Sequence, residues 1–155
     1  MYRISDETLV FNAFIPAGMV RAISPSQFEI DAHEVPGLVI YIMRVKGEYM
    51  KGGQASSFVE RMDGEFGCLR PVIAAGPPYI GDPWKRYVPF TLLETGAIVE
   101  LWAKSYTDPQ EMGEDETQLN DFYRGRWTRE GQAKWRPKTR HRTTVSTLRL
   151  ERHAL

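Results

Sequence analysis

The sequence predicts an α+β fold, with a small and mostly antiparallel central sheet flanked by helices. Three observations lead to this class. Two β-prone segments, 38–45 and 49–53, are joined by a short glycine-containing turn and predict a hairpin. A third apolar segment at 97–105 predicts the next strand. Helical patterns follow the hairpin at 56–65 and the third strand at 115–124, so helices are expected beside the sheet.

The composition limits the class of protein. The chain has 155 residues, of which 42% are hydrophobic, which is the size of one ordinary domain with enough apolar residues for a core. No long apolar run predicts a membrane span, and the N-terminal stretch MYRISDETLVFNAFIP lacks the pattern of a secretory signal. A single cysteine, Cys68, excludes an internal disulfide and a multi-cysteine zinc site. We therefore expect a cytoplasmic protein without a membrane partner.

The first 35 residues are predicted to form an extension before the core. Segments 8–14 and 27–31 are short and β-prone, and prolines and a glycine separate them. We expect each to form a strand.

The hairpin and the helix after it begin the predicted core, which spans 36–125. The first strand, LVIYIMRV at 38–45, is rich in β-branched and large apolar residues, as a central strand should be. Lys46-Gly47-Glu48 turns the chain into the return strand. Ser57 and Glu60 have the spacing of a capping box, so a helix is expected from about Ser57 to Glu65.

The second half of the core has a less regular pattern. Residues 67–95 are predicted to be a loop insert, because 74–89 is rich in proline, glycine and aromatic residues. The strand at 97–105 follows, and a further loop leads to the helix at 115–124. The alternating segment 144–150 predicts a late strand.

The net charge of zero conceals two oppositely charged parts. From Arg124 to the C-terminus the chain has 10 Lys/Arg and 2 Asp/Glu, a net charge of +8, and the rest of the chain carries −8. A basic arm at 126–155 on an acidic body is typical of proteins that bind the phosphate backbone, but also of a solvated tail. The candidate DNA-binding residues are Arg124, Arg126, Lys134, Arg136, Lys138, Arg140 and Arg142.

A candidate reactive cluster lies on the hairpin and its helix. Strand alternation and a turn centred on the hairpin glycine are expected to put Tyr41, Tyr49 and Lys51 on one face of the sheet. The following helix is expected to bring Arg61 over that face. An arginine and a lysine suit a phosphodiester, and a phenol beside two cations loses its proton more easily. The cluster therefore predicts phosphoryl chemistry with a tyrosine as general base.

The cluster lacks a carboxylate for a divalent metal ion, which phosphoryl chemistry often requires. Glu116, at the start of the segment ETQLNDFY, is well placed in the sequence to provide it. Glu94, Glu100 and Glu114 compete for the same role.

This order of motifs resembles the GIY-YIG nuclease superfamily, in its restriction-enzyme-like or phage-type branch. The core of that superfamily has a hairpin with a first tyrosine, a second tyrosine or a lysine with a glycine, an arginine helix, a third strand and a glutamate helix. Here GLVIYI contains Tyr41, YMKGGQAS contains Tyr49 and Lys51, SSFVERM contains Arg61, and ETQLNDFY contains Glu116.

The resemblance implies hydrolysis of DNA with Mg²⁺ or Mn²⁺. Tyr41 is then the general base for the attacking water, with Lys51 and Tyr49 assisting it. Arg61 stabilises the charged phosphorane, and Glu116 binds the metal. DNA is the expected partner, and a homodimer is possible.

Two other interpretations stay open at this point. One is a nucleic-acid-binding module on the same fold that has lost catalysis, for which Glu116 would be turned away from the cluster. The other is an unrelated α+β binding protein in which the cluster is accidental. In that case the hairpin would not lie beside the third strand.

Overall fold

The computed structural model describes residues 1–136 and 146–155 and contains one sheet with helices on both faces. The strands are β1 (Tyr2–Arg3), β2 (Ile15–Ser24), β3 (Gln27–Ala32), β4 (Leu38–Val45), β5 (Glu48–Ala55), β6 (Val99–Tyr106) and β7 (His153–Ala154). The helices are α1 (Asp6–Phe11), α2 (Phe58–Gly67), α3 (Arg70–Ala75), α4 (Pro83–Pro89) and α5 (Pro109–Tyr123). The sheet order is β3-β2-β6-β4-β5-β1-β7, and every pair is antiparallel. The predicted α+β class is confirmed.

The hairpin of β4 and β5 forms the centre of the sheet, and β6 pairs with the free side of β4. Lys46 and Gly47 have φ angles of 50° and 82°. Positive φ at both central residues is the geometry of a two-residue turn whose twist matches the strands it joins. The interpretation as an unrelated α+β binding protein required a hairpin that does not lie beside the third strand. The hairpin does lie beside that strand, so the structure does not support this interpretation.

A bulge interrupts the hairpin at Met50. Met43 is opposite Lys51, whereas the next residue, Arg44, is opposite Tyr49. The extra residue on β5 shifts the alternation of side chains by one position. As a result Met50 and Lys51 lie on the same face of the sheet, and Tyr49 lies on the other.

Each face of the sheet has its own core. The first packs Tyr41 and Met43 against α2 and α4, and the second packs Ile40 and Ile42 against α5. The predicted alternation in β4 is therefore confirmed. Because both faces are covered, β4 is buried along nearly its whole length.

The predicted strand at 8–14 is wrong, because α1 occupies most of it. The Ser5 side chain accepts a hydrogen bond from the backbone N–H of Thr8, and Asp6 and Glu7 lie in the first turn of the helix. A cap and acidic residues at a helix N-terminus stabilise it enough to override the β propensity of three apolar residues. The strand predicted at 27–31 is confirmed as β3. Strand β2 pairs with β6, so the N-terminal strands extend the core sheet.

The loop expected at 67–95 is wrong for most of its length. It contains α3, α4 and a π-helical turn at Phe90–Glu94. Pro71 and Pro83 lie in the first turn of their helices, where the missing N–H costs nothing, so these prolines begin helices rather than exclude them. The Asp82 side chain accepts the backbone N–H of Lys85 and caps α4.

Helix α5 begins six residues earlier than the sequence pattern predicts, at Pro109 instead of 115. As in α4, a proline and an aspartate cap begin the helix. Pro109 takes the first helical position, and the Asp108 side chain accepts a hydrogen bond from the backbone N–H of Gln110.

The end of the chain packs on the body. No strand forms at 146–150, where part of the late strand was expected, and 144 and 145 lie outside the described residues. Leu148 is buried, Asn12 makes hydrogen bonds with both the backbone N–H and the carbonyl of Arg149, and β7 pairs with β1. The last ten residues therefore form part of the folded domain. In the described ranges, none of the helices has the length and apolar character needed to cross a bilayer.

Candidate active site

Tyr41 lies near the middle of β4 and directs its phenol toward α2. The side chain is buried, and its O–H donates a hydrogen bond of 2.8 Å to Oε1 of Glu65. Gly53 is opposite Tyr41 on β5. A Cβ at Gly53 would overlap with the Tyr41 ring, so a glycine at this position is what allows the phenol to reach Glu65.

Lys51 joins the same cluster because of the bulge. Its Nζ lies 3.4 Å from Glu65 Oε1 and 4.6 Å from the centroid of the Trp84 ring. One carboxylate oxygen thus contacts both the phenol and the ammonium group.

Arg61 lies on α2, one turn before Glu65, and its side chain is exposed. None of the ion pairs found among the described residues involves Arg61. It lines the same groove as Glu65, and its charge lowers the pKa of the Tyr41 phenol and of the Glu116 carboxyl, so it lies beside the cluster. The groove beside it has a volume of about 420 Å³ and is lined by Ser56, Ser57, Glu60, Arg61, Gly64, Glu65 and Cys68.

Glu116 faces this cluster from α5. Burial raises the pKa of its carboxyl, while a hydrogen bond with Gln54 and the charges of Lys51 and Arg61 lower it. Gln54 and Lys51 both belong to β5, which pairs with β1 only at Glu48. Beyond Glu48 its outer side is covered, because the N–H of Trp127 donates to the Met50 carbonyl and Asn120 binds the backbone of Gly52. Glu116 therefore lies beside the end of β5 that carries Gln54.

The described residues contain no group of three or more His, Cys, Asp or Glu side chains able to hold a metal ion. A divalent ion at Glu116 would therefore take most of its ligands from substrate and water, as Mg²⁺ commonly does. Of the competing carboxylates, Glu100 forms a two-point ion pair with Arg44, at 2.9 Å and 3.1 Å. Glu114 lies within 3.3 Å of the exposed Gln110 side chain. The metal role of Glu116 stays a prediction.

Tyr49 is not part of the cluster, and the expectation that it shares a face with Tyr41 is wrong. Its ring stacks on Tyr123 with centroids 4.7 Å apart, and its O–H donates to Oδ1 of Asn120 at 2.8 Å. Asn120 also accepts from the backbone N–H of Gly52 and donates to its carbonyl, so it attaches α5 to β5. The cause of the misplacement is the bulge at Met50.

The protonation of Tyr41 also differs from the expectation. The sequence predicts that nearby cations lower the pKa of the phenol. In the structure burial raises the pKa of Tyr41, the charge of Glu65 and the hydrogen bond to it raise it further, and Arg61 opposes this only in part. Tyr41 is therefore a protonated hydrogen-bond donor.

The predicted DNA-binding residues have different environments. Arg126 forms a two-point ion pair with the buried Glu48, at 2.9 Å and 3.1 Å. Arg124 is exposed and stacks on the Trp135 ring, 4.9 Å from its centroid. Lys134 and Arg136 are exposed. Lys138, Arg140 and Arg142 lie outside the described residues, and DNA binding by this set stays a prediction.

Sequence reasoning missed Glu65 at the site, and it gave no role to Asn120, which supports β5 from the opposite face. Glu65 follows Arg61 by four positions, so the helical period alone puts both on one face of α2. Asn120 lies between Leu119 and Tyr123 on the buried side of α5. A polar residue on an apolar face is a signal for a specific hydrogen-bond partner.

Comparisons with known proteins support the fold. No family model matches the chain, and no curated protein sequence matches it. Among solved structures, the chain is similar to a mutant of EndoII from bacteriophage T4, with a TM-score of 0.56 and 15% sequence identity. The match covers 79% of this chain and 96% of that chain. EndoII is a GIY-YIG nuclease, so the resemblance carried by the motifs is confirmed at the level of the fold.

Proposed function

We propose that the chain is a metal-dependent DNA endonuclease that hydrolyses phosphodiester bonds at the groove that Arg61 lines. The observation that carries the proposal is the cluster of Tyr41, Lys51 and Glu65, whose carboxylate lines the same groove. Lys51 on β5 and Arg61 on α2 both act electrostatically on Glu116 of α5. The fold shared with a nuclease supports the same conclusion.

Arg61 is the residue best suited to bind the scissile phosphate. It is exposed in a groove, and a guanidinium can contact two phosphate oxygens at once. In the transition state the same contact stabilises the additional negative charge. Lys51 adds a second positive charge, which Glu65 partly neutralises.

Glu116 would hold the Mg²⁺ or Mn²⁺ ion, together with oxygens of the substrate and of water. A divalent ion at this position supplies charge stabilisation and makes bound water more acidic. A partly buried carboxylate fits a hard cation.

Tyr41 is assigned as general base for the attacking water. Since Tyr41 is itself protonated, its own proton must leave as it accepts another. Tyr49 has no part in this mechanism, because it is fully enclosed on the opposite face.

The alternative is a DNA-binding module on the same fold without catalysis. Nicking of supercoiled plasmid in Mg²⁺ or Mn²⁺, against a control in EDTA, separates the two functions. We expect nicking in metal only, loss of nicking in Glu116→Gln, and unchanged DNA binding by that variant. Glu114→Gln is the matched control on the same helix. DNA binding without nicking in either metal would favour the alternative. Loss of nicking in Glu114→Gln, but not in Glu116→Gln, would assign the metal ligand to Glu114 instead.

A further inference from the structure

Glu65 is the one carboxylate in the cluster to which the proposed function gives no role. Its side chain is only 15% exposed, and its Oε1 accepts from the Tyr41 phenol at 2.8 Å. Lys51 Nζ approaches both oxygens of the same carboxylate, at 3.4 Å and 3.5 Å.

The position of Glu65 is fixed by its own helix and by α4. The indole Nε1 of Trp84 donates to the backbone carbonyl of Glu65 at 3.0 Å, and the same indole ring packs against Lys51. The carboxylate is therefore held between the phenol and the ammonium by contacts that do not involve substrate.

We infer that Glu65 is the proton acceptor for Tyr41 during hydrolysis, an assignment that rests on the proposed function. One proton of the attacking water passes to the Tyr41 oxygen while the phenolic proton passes to Glu65 Oε1. The water oxygen forms a bond to phosphorus as the bond from phosphorus to the leaving sugar oxygen breaks. The leaving oxygen takes a proton from solvent, and Glu65 later releases its proton to solvent.

This route explains how a phenol that is difficult to ionise can act as a base. Tyr41 is buried beside a carboxylate, so a free phenolate there is unfavourable. If the phenolic proton leaves as the water proton arrives, the phenol stays neutral throughout. Glu65 acts through Tyr41 and does not touch the reacting atoms, so it is a positioning and proton-accepting residue.

Several charged or polar groups surround Glu65. Lys51 approaches it from β5, the Tyr41 phenol from β4 and the Trp84 indole from α4. Arg61 precedes it by one turn on α2, and Glu116 acts on Tyr41 from α5.

Glu65→Gln is the informative substitution, since the amide keeps the shape and can still accept from Tyr41 but cannot take up a proton. We measure single-turnover cleavage of supercoiled plasmid in Mg²⁺ at increasing protein concentrations. The expected result is a loss in maximal rate of about 10²–10⁴-fold with unchanged half-saturating protein concentration. Asp63→Asn, an exposed position on the same helix, should behave like wild type.

Glu65→Asp distinguishes a proton acceptor from a packing residue. The shorter carboxylate fits less well but can take up a proton, so it should cleave faster than Glu65→Gln. Folding of each variant is checked by circular dichroism. The inference is overturned if Glu65→Gln keeps the wild-type rate, or if Glu65→Asp is no faster than Glu65→Gln. Wild-type protein that fails to nick in either metal would instead overturn the proposed function, and this inference with it.

Discussion

Tyr41 and Tyr49 lie on paired strands, both are buried, and both donate a hydrogen bond of 2.8 Å. They differ in the acceptor. Tyr41 donates to the carboxylate of Glu65, beside a lysine and near an exposed arginine. Tyr49 donates to the neutral amide of Asn120 within an apolar layer. The first arrangement can exchange a proton, whereas the second fixes a helix to the sheet.

The Tyr41 face of the hairpin therefore carries the proposed chemistry, and the Tyr49 face attaches α5 to the sheet. Gly52 and Gly53 show the division in the backbone, since a Cβ at Gly52 would overlap with the Tyr49 hydroxyl and one at Gly53 with the Tyr41 ring. Two consecutive glycines thus leave room for two phenols from opposite faces. Substitutions on the two faces should consequently fail in different ways.

A large loss of rate is expected for Arg61→Ala, on the reactive face. Loss of one group that stabilises transition-state charge typically lowers the rate by about 10²–10³-fold. The free energy of unfolding should change little, because the side chain is exposed. Plasmid nicking measures the rate, and urea unfolding measures the free energy of unfolding. Arg70→Ala on α3 serves as the exposed control. Unchanged nicking by folded Arg61→Ala would exclude Arg61 from the site.

Asn120→Ala tests the supporting face. It removes the partner of the Tyr49 hydroxyl and of both backbone groups of Gly52. Leaving buried polar groups without partners should lower the free energy of unfolding by roughly 2–4 kcal/mol. Urea unfolding measures the loss against Thr117→Ala, an exposed position on the same helix. A loss no larger than that of the control would show that Asn120 does not hold α5 in place.

The elements on the reactive face were largely predictable from the sequence. The hairpin, the third strand and the alternation in β4 follow from apolar patterns, and they suffice to bring Tyr41 near α2. The position of Tyr49 was not predictable, because one bulged residue moves its side chain to the other face of the sheet. A short strand such as YMKGG has no sequence pattern that indicates the bulge. The helices at 70–75 and 83–89 were missed because their prolines are equally typical of loops and of first helical turns.

The basic residues near the C-terminus allow a test of DNA binding that spares the fold. Truncation would remove the buried Leu148 and β7, so Lys138, Arg140 and Arg142 should be replaced together by glutamine. The slope of log affinity against log salt should decrease by up to about 0.9 for each DNA phosphate that the variant no longer neutralises.

Arg126→Gln is the control for that experiment. Glu48 already takes up the charge of Arg126, so the slope should stay unchanged while the protein becomes less stable. An unchanged slope in the triple variant would mean that these charges only solvate the chain.

The smallest effect concerns the pH dependence of stability. Burial raises the pKa of Glu116, so the folded protein binds more protons than the unfolded chain at pH values just above the ordinary glutamate pKa. The free energy of unfolding therefore falls as the pH rises through this window. The melting temperature of Glu116→Gln, relative to that of the wild type, should increase as the pH rises from about 4 to neutral, with EDTA present. A difference in melting temperature between the two proteins that does not change with pH would contradict the raised pKa of Glu116.

The central claim is that chemistry belongs to the Tyr41 face of the hairpin, and Tyr41→Phe and Tyr49→Phe test it side by side. Both are assayed for plasmid nicking in Mg²⁺ per folded molecule, and for unfolding in urea. The account predicts that Tyr41→Phe loses about 10²-fold or more in rate, whereas Tyr49→Phe keeps its rate and loses about 1 kcal/mol of stability. Wild-type nicking by Tyr41→Phe, or an equal loss of rate in both variants, would contradict it.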